Sequence, residues 1–131
     1  MEQIKVYLAG GMNSDWQSIV MKEFDNKFVF FNPQQHNLDE SVEYTAWDLF
    51  FVKKADIVFA FMGENNPSGI GLSLEVGFAK ALGLTIILID EKSKNDFEFK
   101  KKFRIVRESA TVVYDSLDKG ISYLNSYLNI K

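Results

Sequence analysis

Apolar residues come in short blocks along this chain, and the blocks alternate between two periods. Gln3–Ala9 is an apolar run ended by Gly10-Gly11, which predicts a strand, whereas Trp16, Ile19, Val20 and Phe24 recur at helical spacing across Ser14–Phe24. Phe28–Phe31 reads as a second strand, stopped by Asn32-Pro33, and the polar stretch Gln34–Glu40 as a loop. Helical spacing returns in Ser41–Lys54 through Val42, Trp47, Leu49, Phe50 and Val52. Ile57–Met62 is apolar at every position, as expected of a strand covered on both faces.

The second half repeats the alternation. A loop over Gly63–Gly69 leads into a helix Ile70–Leu82, which Gly83 closes in the position that often follows a helix end. Leu84–Asp90 is a fourth strand and Thr111–Tyr114 a fifth, with the charged, Phe-rich Asn95–Arg107 between them read as helical. An amphipathic helix over Leu117–Leu128 ends the pattern. Strands alternating with helices predict an α/β fold, a doubly wound five-stranded parallel sheet with right-handed crossovers. At 131 residues the chain has material for one core and is expected to form a single domain over 1–131.

Composition removes several function classes. A net charge of −3 offers no basic footprint for a nucleic acid polymer. There is no cysteine, hence no disulfide framework or zinc-thiolate site, and the one histidine, His36, sits in a polar loop where it is expected to be solvated and cannot make a metal cluster alone. No run reaches the roughly 18 apolar residues that a membrane helix needs. The first residues lack a signal peptide's charged start and long apolar stretch, so a cytoplasmic location is the default expectation. Gly69-Ile-Gly71 fails the third position of a dinucleotide fingerprint, and no Gly-Lys-Ser/Thr is present for a P-loop.

Candidate chemistry gathers where the predicted strands end. Glu75 lies in Gly69-Ile-Gly71-Leu-Ser73-Leu-Glu75-Val-Gly77-Phe-Ala79, a glycine-rich turn running into a helix behind the third strand, at the sheet edge where open α/β folds collect ligands. Its small neighbours leave room for a substrate against the backbone. An acidic residue in the first turn of a helix is also what the macrodipole favours for stability alone. Tyr7, at the end of the first strand, reaches the same crevice, and Asp48 in the middle of the Ser41–Lys54 helix is placed to face it; two carboxylates and a phenol would form an acid/base set.

These residues carry a family resemblance. Tyr7-Leu-Ala-Gly10-Gly11, then Trp47-Asp48-Leu49 followed by Ala55-Asp56-Ile57-Val58, then Gly71-Leu-Ser-Leu-Glu75-Val-Gly77-Phe-Ala79 resemble, in this order, the nucleoside 2-deoxyribosyltransferases and their nucleotide N-glycosidase relatives. The resemblance spans most of Val6–Ile89. It implies the flavodoxin-like strand order 2-1-3-4-5, no cofactor, and a homodimer or higher oligomer in which a neighbouring subunit completes each site. It also implies a nucleoside or nucleotide substrate, with Glu75 as the nucleophile at C1′ of a 2-deoxyribosyl group, Tyr7 as the phenol that orients it, and Asp48 as the carboxylate that assists departure of the base.

One departure changes the picture. Transferases of this kind carry another Asp shortly before the nucleophile, where this chain has Pro67-Ser68-Gly69-Ile70. The N-glycosidases hold a 5′-phosphate with small polar residues there and in the first loop, which implies Ser68, Ser14 and Asn13, aided by backbone N–H groups at Gly10-Gly11. Asp15 would oppose a phosphate, and the loop has no Arg or Lys. Met12, in the same loop, is placed to lie against a nucleobase. The alternative function is a binding module of the same descent that holds a nucleoside without turning it over. Elsewhere Asp56 is expected to make a structural hydrogen bond at the mouth of its strand, Trp16 and Trp47 to pack in the core, and the charged run Lys92–Lys102 to form a solvated face.

Overall fold

The computed structural model describes residues 2–67 and 69–129. Five strands, β1 (Lys5–Gly10), β2 (Val29–Phe31), β3 (Ile57–Met62), β4 (Thr85–Asp90) and β5 (Val112–Tyr114), form one sheet in the order β2-β1-β3-β4-β5. Every neighbouring pair is parallel. The expected fold class and strand order are therefore the observed ones. In β3, where all six residues are apolar, all six are buried, because helices cover both sides of the central strands.

Alternation along the strands sorts the interior into two layers. Tyr7, Ala9, Val58, Ala60, Met62, Ile86 and Leu88 face one side, where they meet α2 (Ser41–Lys54) and α3 (Ile70–Ala81). Val6, Leu8, Phe59, Phe61, Ile87 and Ile89 face the other, against α1 (Trp16–Phe24) and the C-terminal α6 (Leu117–Asn125). Trp16 is part of that second layer, stacked near Phe59 and tilted against Phe61, as its helical spacing predicts. Gly120 lets α6 press onto the sheet, since a Cβ there would stand 2.0 Å from Ile89 Cδ1 and 3.2 Å from Phe59 Cζ.

Local signals read correctly in detail. Gly83, with φ of 76°, ends α3 by a Schellman arrangement: Leu84 N–H donates to Ala79 C=O and Gly83 N–H to Lys80 C=O. Asp56 accepts the Lys5 N–H at 2.9 Å through Oδ2, tying the start of β1 to the entry of β3, the structural role expected of it.

The segment between β4 and β5 departs from one predicted helix over Asn95–Arg107. A 3-10 turn (Ser93–Asn95) precedes two short helices, α4 (Phe97–Lys102) and α5 (Arg104–Ser109), with Phe103 at φ −99° and ψ 15° between them. The break redirects the second helix so that Arg107 Nη1 meets Asp90 Oδ2 at 2.6 Å. Asp90, whose side chain is wholly buried, also accepts from the Ser93 backbone N–H and hydroxyl. A buried carboxylate is retained here because it is paired and hydrogen-bonded. Lys94 and Lys100 are exposed, as expected of a solvated face, and with Arg107 and Lys119 they line an open cavity of about 410 Å³. A further 3-10 turn, Pro33–Gln35, lies where a loop is predicted, and the last helix tightens to 3-10 over Ser126–Leu128.

Candidate active site

Three elements on one side of the sheet bring the site together. Tyr7 is the third residue of β1, in mid-strand, and alternation turns its side chain under α2 and α3, where it is fully buried. Glu75 belongs to the face of α3 that also carries the buried Leu72, Val76 and Ala79, and it is only 7% exposed. Its position is the second turn of α3, five residues beyond Ile70, so the macrodipole's preference for acids in a first turn does not account for it. The Tyr7 hydroxyl donates to Glu75 Oε2 at 2.7 Å.

The electrostatics follow from that burial. Desolvation pushes the Glu75 carboxyl up to about 8, against the Tyr7 hydrogen bond, which favours the anion; Asp48 nearby raises it further. Asp48, on α2, is also raised by burial, with Glu75, His36 and Tyr7 acting against the shift. Burial and the two carboxylates hold the Tyr7 phenol far above its usual range. At neutral pH the Asp48–Glu75 pair accordingly retains a proton, and the titration belongs to the pair. An ionised nucleophile beside a protonated acid is one arrangement of that single proton. Tyr7 favours it by donating to Glu75.

His36 corrects the sequence expectation. It is not solvated: its side chain is 12% exposed, stacked near Tyr44 with planes 4° apart, and edge-on to Trp47 at 5.0 Å. The 3-10 turn at Pro33 folds the polar segment back over α2 and sets His36 Nε2 3.7 Å from Asp48 Oδ1. No local pattern announces this, because loop composition records polarity and not where the loop lands.

The first loop is ordered by its own carbonyl. Gly11 C=O accepts from Trp16 Nε1 and from Gln17 Nε2, both at 3.0 Å. A Cβ on Gly10 would approach Phe61 C=O at 2.7 Å, and one on Gly11 would strike the Asn66 carboxamide at 2.5 Å. Asn66 Nδ2 is buried without a partner, so this second loop offers a free donor against the glycine turn that sequence reasoning passed over. Met12 is 45% exposed and, with Pro33, Gln34, His36 and Asn37, lines a cavity of about 350 Å³. Asn13 is exposed and Ser14 partly so. A Cβ on Gly69 or Gly71 would meet nothing within 4 Å, which leaves open space beside the start of α3. Gly69 C=O accepts the Ser73 hydroxyl at 2.9 Å. Ser68 lies outside the described residues.

Among the described residues no three His, Asp or Glu side chains converge as a metal ligand set. The 410 Å³ cavity near β4 and β5 shares no lining residue with the Tyr7–Glu75 site; Arg107 pairs there with Asp90 and Lys119 with Asp115, while Lys94 and Lys100 add two further positive charges to its lining.

Comparisons with known proteins agree with this fold. In fold the chain is similar to a 2-desoxiribosyltransferase from Leishmania mexicana, at a TM-score of 0.74 and 16% identity over 95% of this chain and 98% of that one. It is similar to a CMP N-glycosidase from Clostridium botulinum, at 0.59 and 20% over 94% and 98%. A molybdenum cofactor binding protein from Rippkaea orientalis shares the fold too, at 0.61 and 14% over 98% and 99%. No curated protein matches the sequence. The model of the family described as nucleoside 2-deoxyribosyltransferase like matches residues 3–93, which include Tyr7, Asp48 and Glu75, and the chain belongs to that family.

Proposed function

We propose that the protein cleaves or transfers the N-glycosyl bond of a 2′-deoxynucleoside, or of its 5′-monophosphate, through a covalent deoxyribosyl ester on Glu75. The observation that carries this reading is the buried Tyr7–Glu75 hydrogen bond with Asp48 electrostatically coupled to it. Tyr7 occupies Oε2, which leaves Oε1 to attack C1′ from the face opposite the base. As the C1′–N bond breaks, its electron pair departs with the base, and the proton held by Asp48 moves to that base. The oxocarbenium-like charge that develops at C1′ is stabilised by the adjacent carboxylate in a site shielded from water. In the second half, water or another base attacks C1′, Glu75 leaves as a carboxylate, and the attacker's proton returns to Asp48. A covalent intermediate thus divides one difficult displacement into two easier ones.

The expected glycine-lined loops and Met12 frame the substrate: Met12 for the base, and Gly10, Gly11, Asn13, Ser14, Gly69 and Gly71 around the sugar and any 5′-phosphate. The protein also works as a homodimer or higher oligomer through α2. Only Val52 of that helix is fully buried, while Val42 and Phe50 are 81% and 51% exposed. A partner on this face would cover the helix that carries Asp48, and sedimentation at tens of micromolar showing only monomer would refute it.

The test of function is incubation with a panel of deoxynucleosides and monophosphates, with and without a second base. Free base or exchanged product is expected, and a 2-fluoro-2-deoxyribosyl substrate should leave its ester on the Glu75 peptide. Binding of nucleosides with no base released would replace this reading with the binding module, a use of the fold that the cofactor-binding neighbour illustrates.

A further inference from the structure

The one histidine of the chain is built into the face of α2 that presents Asp48. Tyr44, Trp47 and Asp48 share that face by helical spacing, and the imidazole packs against all three. His36 Nδ1 accepts the Leu38 N–H at 2.9 Å, so this nitrogen carries a lone pair and the ring proton resides on Nε2. Nε2 is the nitrogen that faces Asp48. Across the 3.7 Å gap, Asp48 Oδ1 is a buried acceptor with no hydrogen-bond partner. A donor of fixed tautomer thus stands opposite an orphaned oxygen.

We propose that His36 is a positioning residue for Asp48, its Nε2–H claiming Oδ1 so that the proton Asp48 delivers to the leaving base is confined to Oδ2. This rests on the N-glycosyl chemistry proposed above. At 3.7 Å the contact is an approach and not yet a hydrogen bond, and catalytic contacts of this kind shorten when substrate fills the site. The titratable groups facing Asp48 are Tyr7 from β1, Glu75 from α3 and His36 from the connection between β2 and α2. Tyr7 donates to Glu75, and Glu75 competes with Asp48 for the shared proton. His36 Nε2 faces Oδ1, the oxygen left without a partner. After proton transfer the same N–H would stabilise the carboxylate left behind, since hydrogen bonds to a charged partner are the stronger ones.

Because the chain has a single histidine, one imidazole signal in a ¹⁵N spectrum reports this contact without turnover. The neutral Nε2–H tautomer is expected, with the Nε2 resonance moving when Asp48→Asn is introduced. In kinetics, His36→Phe should lower kcat about tenfold to a hundredfold on deoxynucleosides whose base leaves with a proton, with little change in KM. It should also shift the acid limb of the pH profile, and it should leave nearly intact the cleavage of a 4-nitrophenyl 2-deoxyriboside, whose leaving group departs as a stable anion. His36→Gln, which retains a donor, should recover part of the loss. An Nδ1–H tautomer, a resonance indifferent to Asp48→Asn, or equal losses on both substrate types would overturn the proposal. Failure to release base from any substrate would instead overturn the function it rests on, and the ¹⁵N spectrum would still decide the contact.

Discussion

Glu75→Gln should abolish turnover and, at the same time, stabilise the protein. A carboxyl displaced from 4.5 to about 8 holds its proton more tightly folded than unfolded, so its contribution to stability is full below pH 4.5 and is lost as pH rises toward 8. At about 1.4 kcal/mol per unit, the proton that folding obliges Glu75 to keep weakens the fold by about 3 kcal/mol at pH 7, and the cost approaches about 5 kcal/mol above pH 8, where the buried group ionises. Gln has nearly the same volume, keeps an oxygen for the Tyr7 hydroxyl, and never ionises. The variant should therefore match the wild type near pH 4.5 and exceed it increasingly at higher pH, by about 10 °C in melting temperature at pH 7. Circular dichroism melts of both proteins at pH 5, 7 and 9 measure the difference directly. Asp48 is coupled to Glu75, so the pH dependence of the difference reports the proton that the pair shares and that the variant no longer binds at this position. Parallel curves with a constant offset would refute the claim that a buried, proton-retaining glutamate sits at this position.

Tyr7→Phe removes a hydrogen bond that favours the ionised Glu75, so the carboxyl should rise further and the alkaline-directed limb of the pH–rate profile should move up. A loss of about tenfold at pH 7 that shrinks as pH increases is expected; a loss independent of pH would contradict it. Arg107→Met leaves the buried Asp90 with only Ser93 as partner and should cost about 2–4 kcal/mol in urea unfolding, and an unchanged midpoint would show that the pair contributes nothing. Gly120→Ala drives a Cβ into Ile89 and Phe59, both fully buried, and should destabilise by about 1–3 kcal/mol with the sheet pushed away from α6. A variant as stable as the wild type in the same melt would show that α6 yields freely.

The parts of this structure legible from sequence are those set by local periodicity. The all-apolar Ile57–Met62 had to be an interior strand, and Gly83 had to stand where a left-handed residue ends a helix. Tyr7 and Glu75 were linked by the order of strands, since parallel pairing of β1 with β3 and a helix leaving β3 bring both to one side of the sheet. What was not legible depended on contacts between segments without periodicity. His36 looked solvent-bound because its neighbours are polar, yet a 3-10 turn of three residues places it against Trp47. Asp90 and Arg107 lie 17 residues apart, and only the break at Phe103 brings them together. Asn66 reaches Gly11 by the same kind of loop-to-loop contact.

The all-parallel sheet has a consequence for how activity appears during folding. Each strand pairing needs a crossover before it can form, so the chain must close long loops before any of its sheet contacts are rewarded. Tyr7 and Glu75 are 68 residues apart in sequence, and their hydrogen bond exists only once β1 and β3 have paired and α3 has docked. No fragment shorter than that span contains the reactive pair. A growing or half-folded chain is therefore chemically silent, and the recovery of catalysis in a refolding experiment would lag behind the appearance of helix.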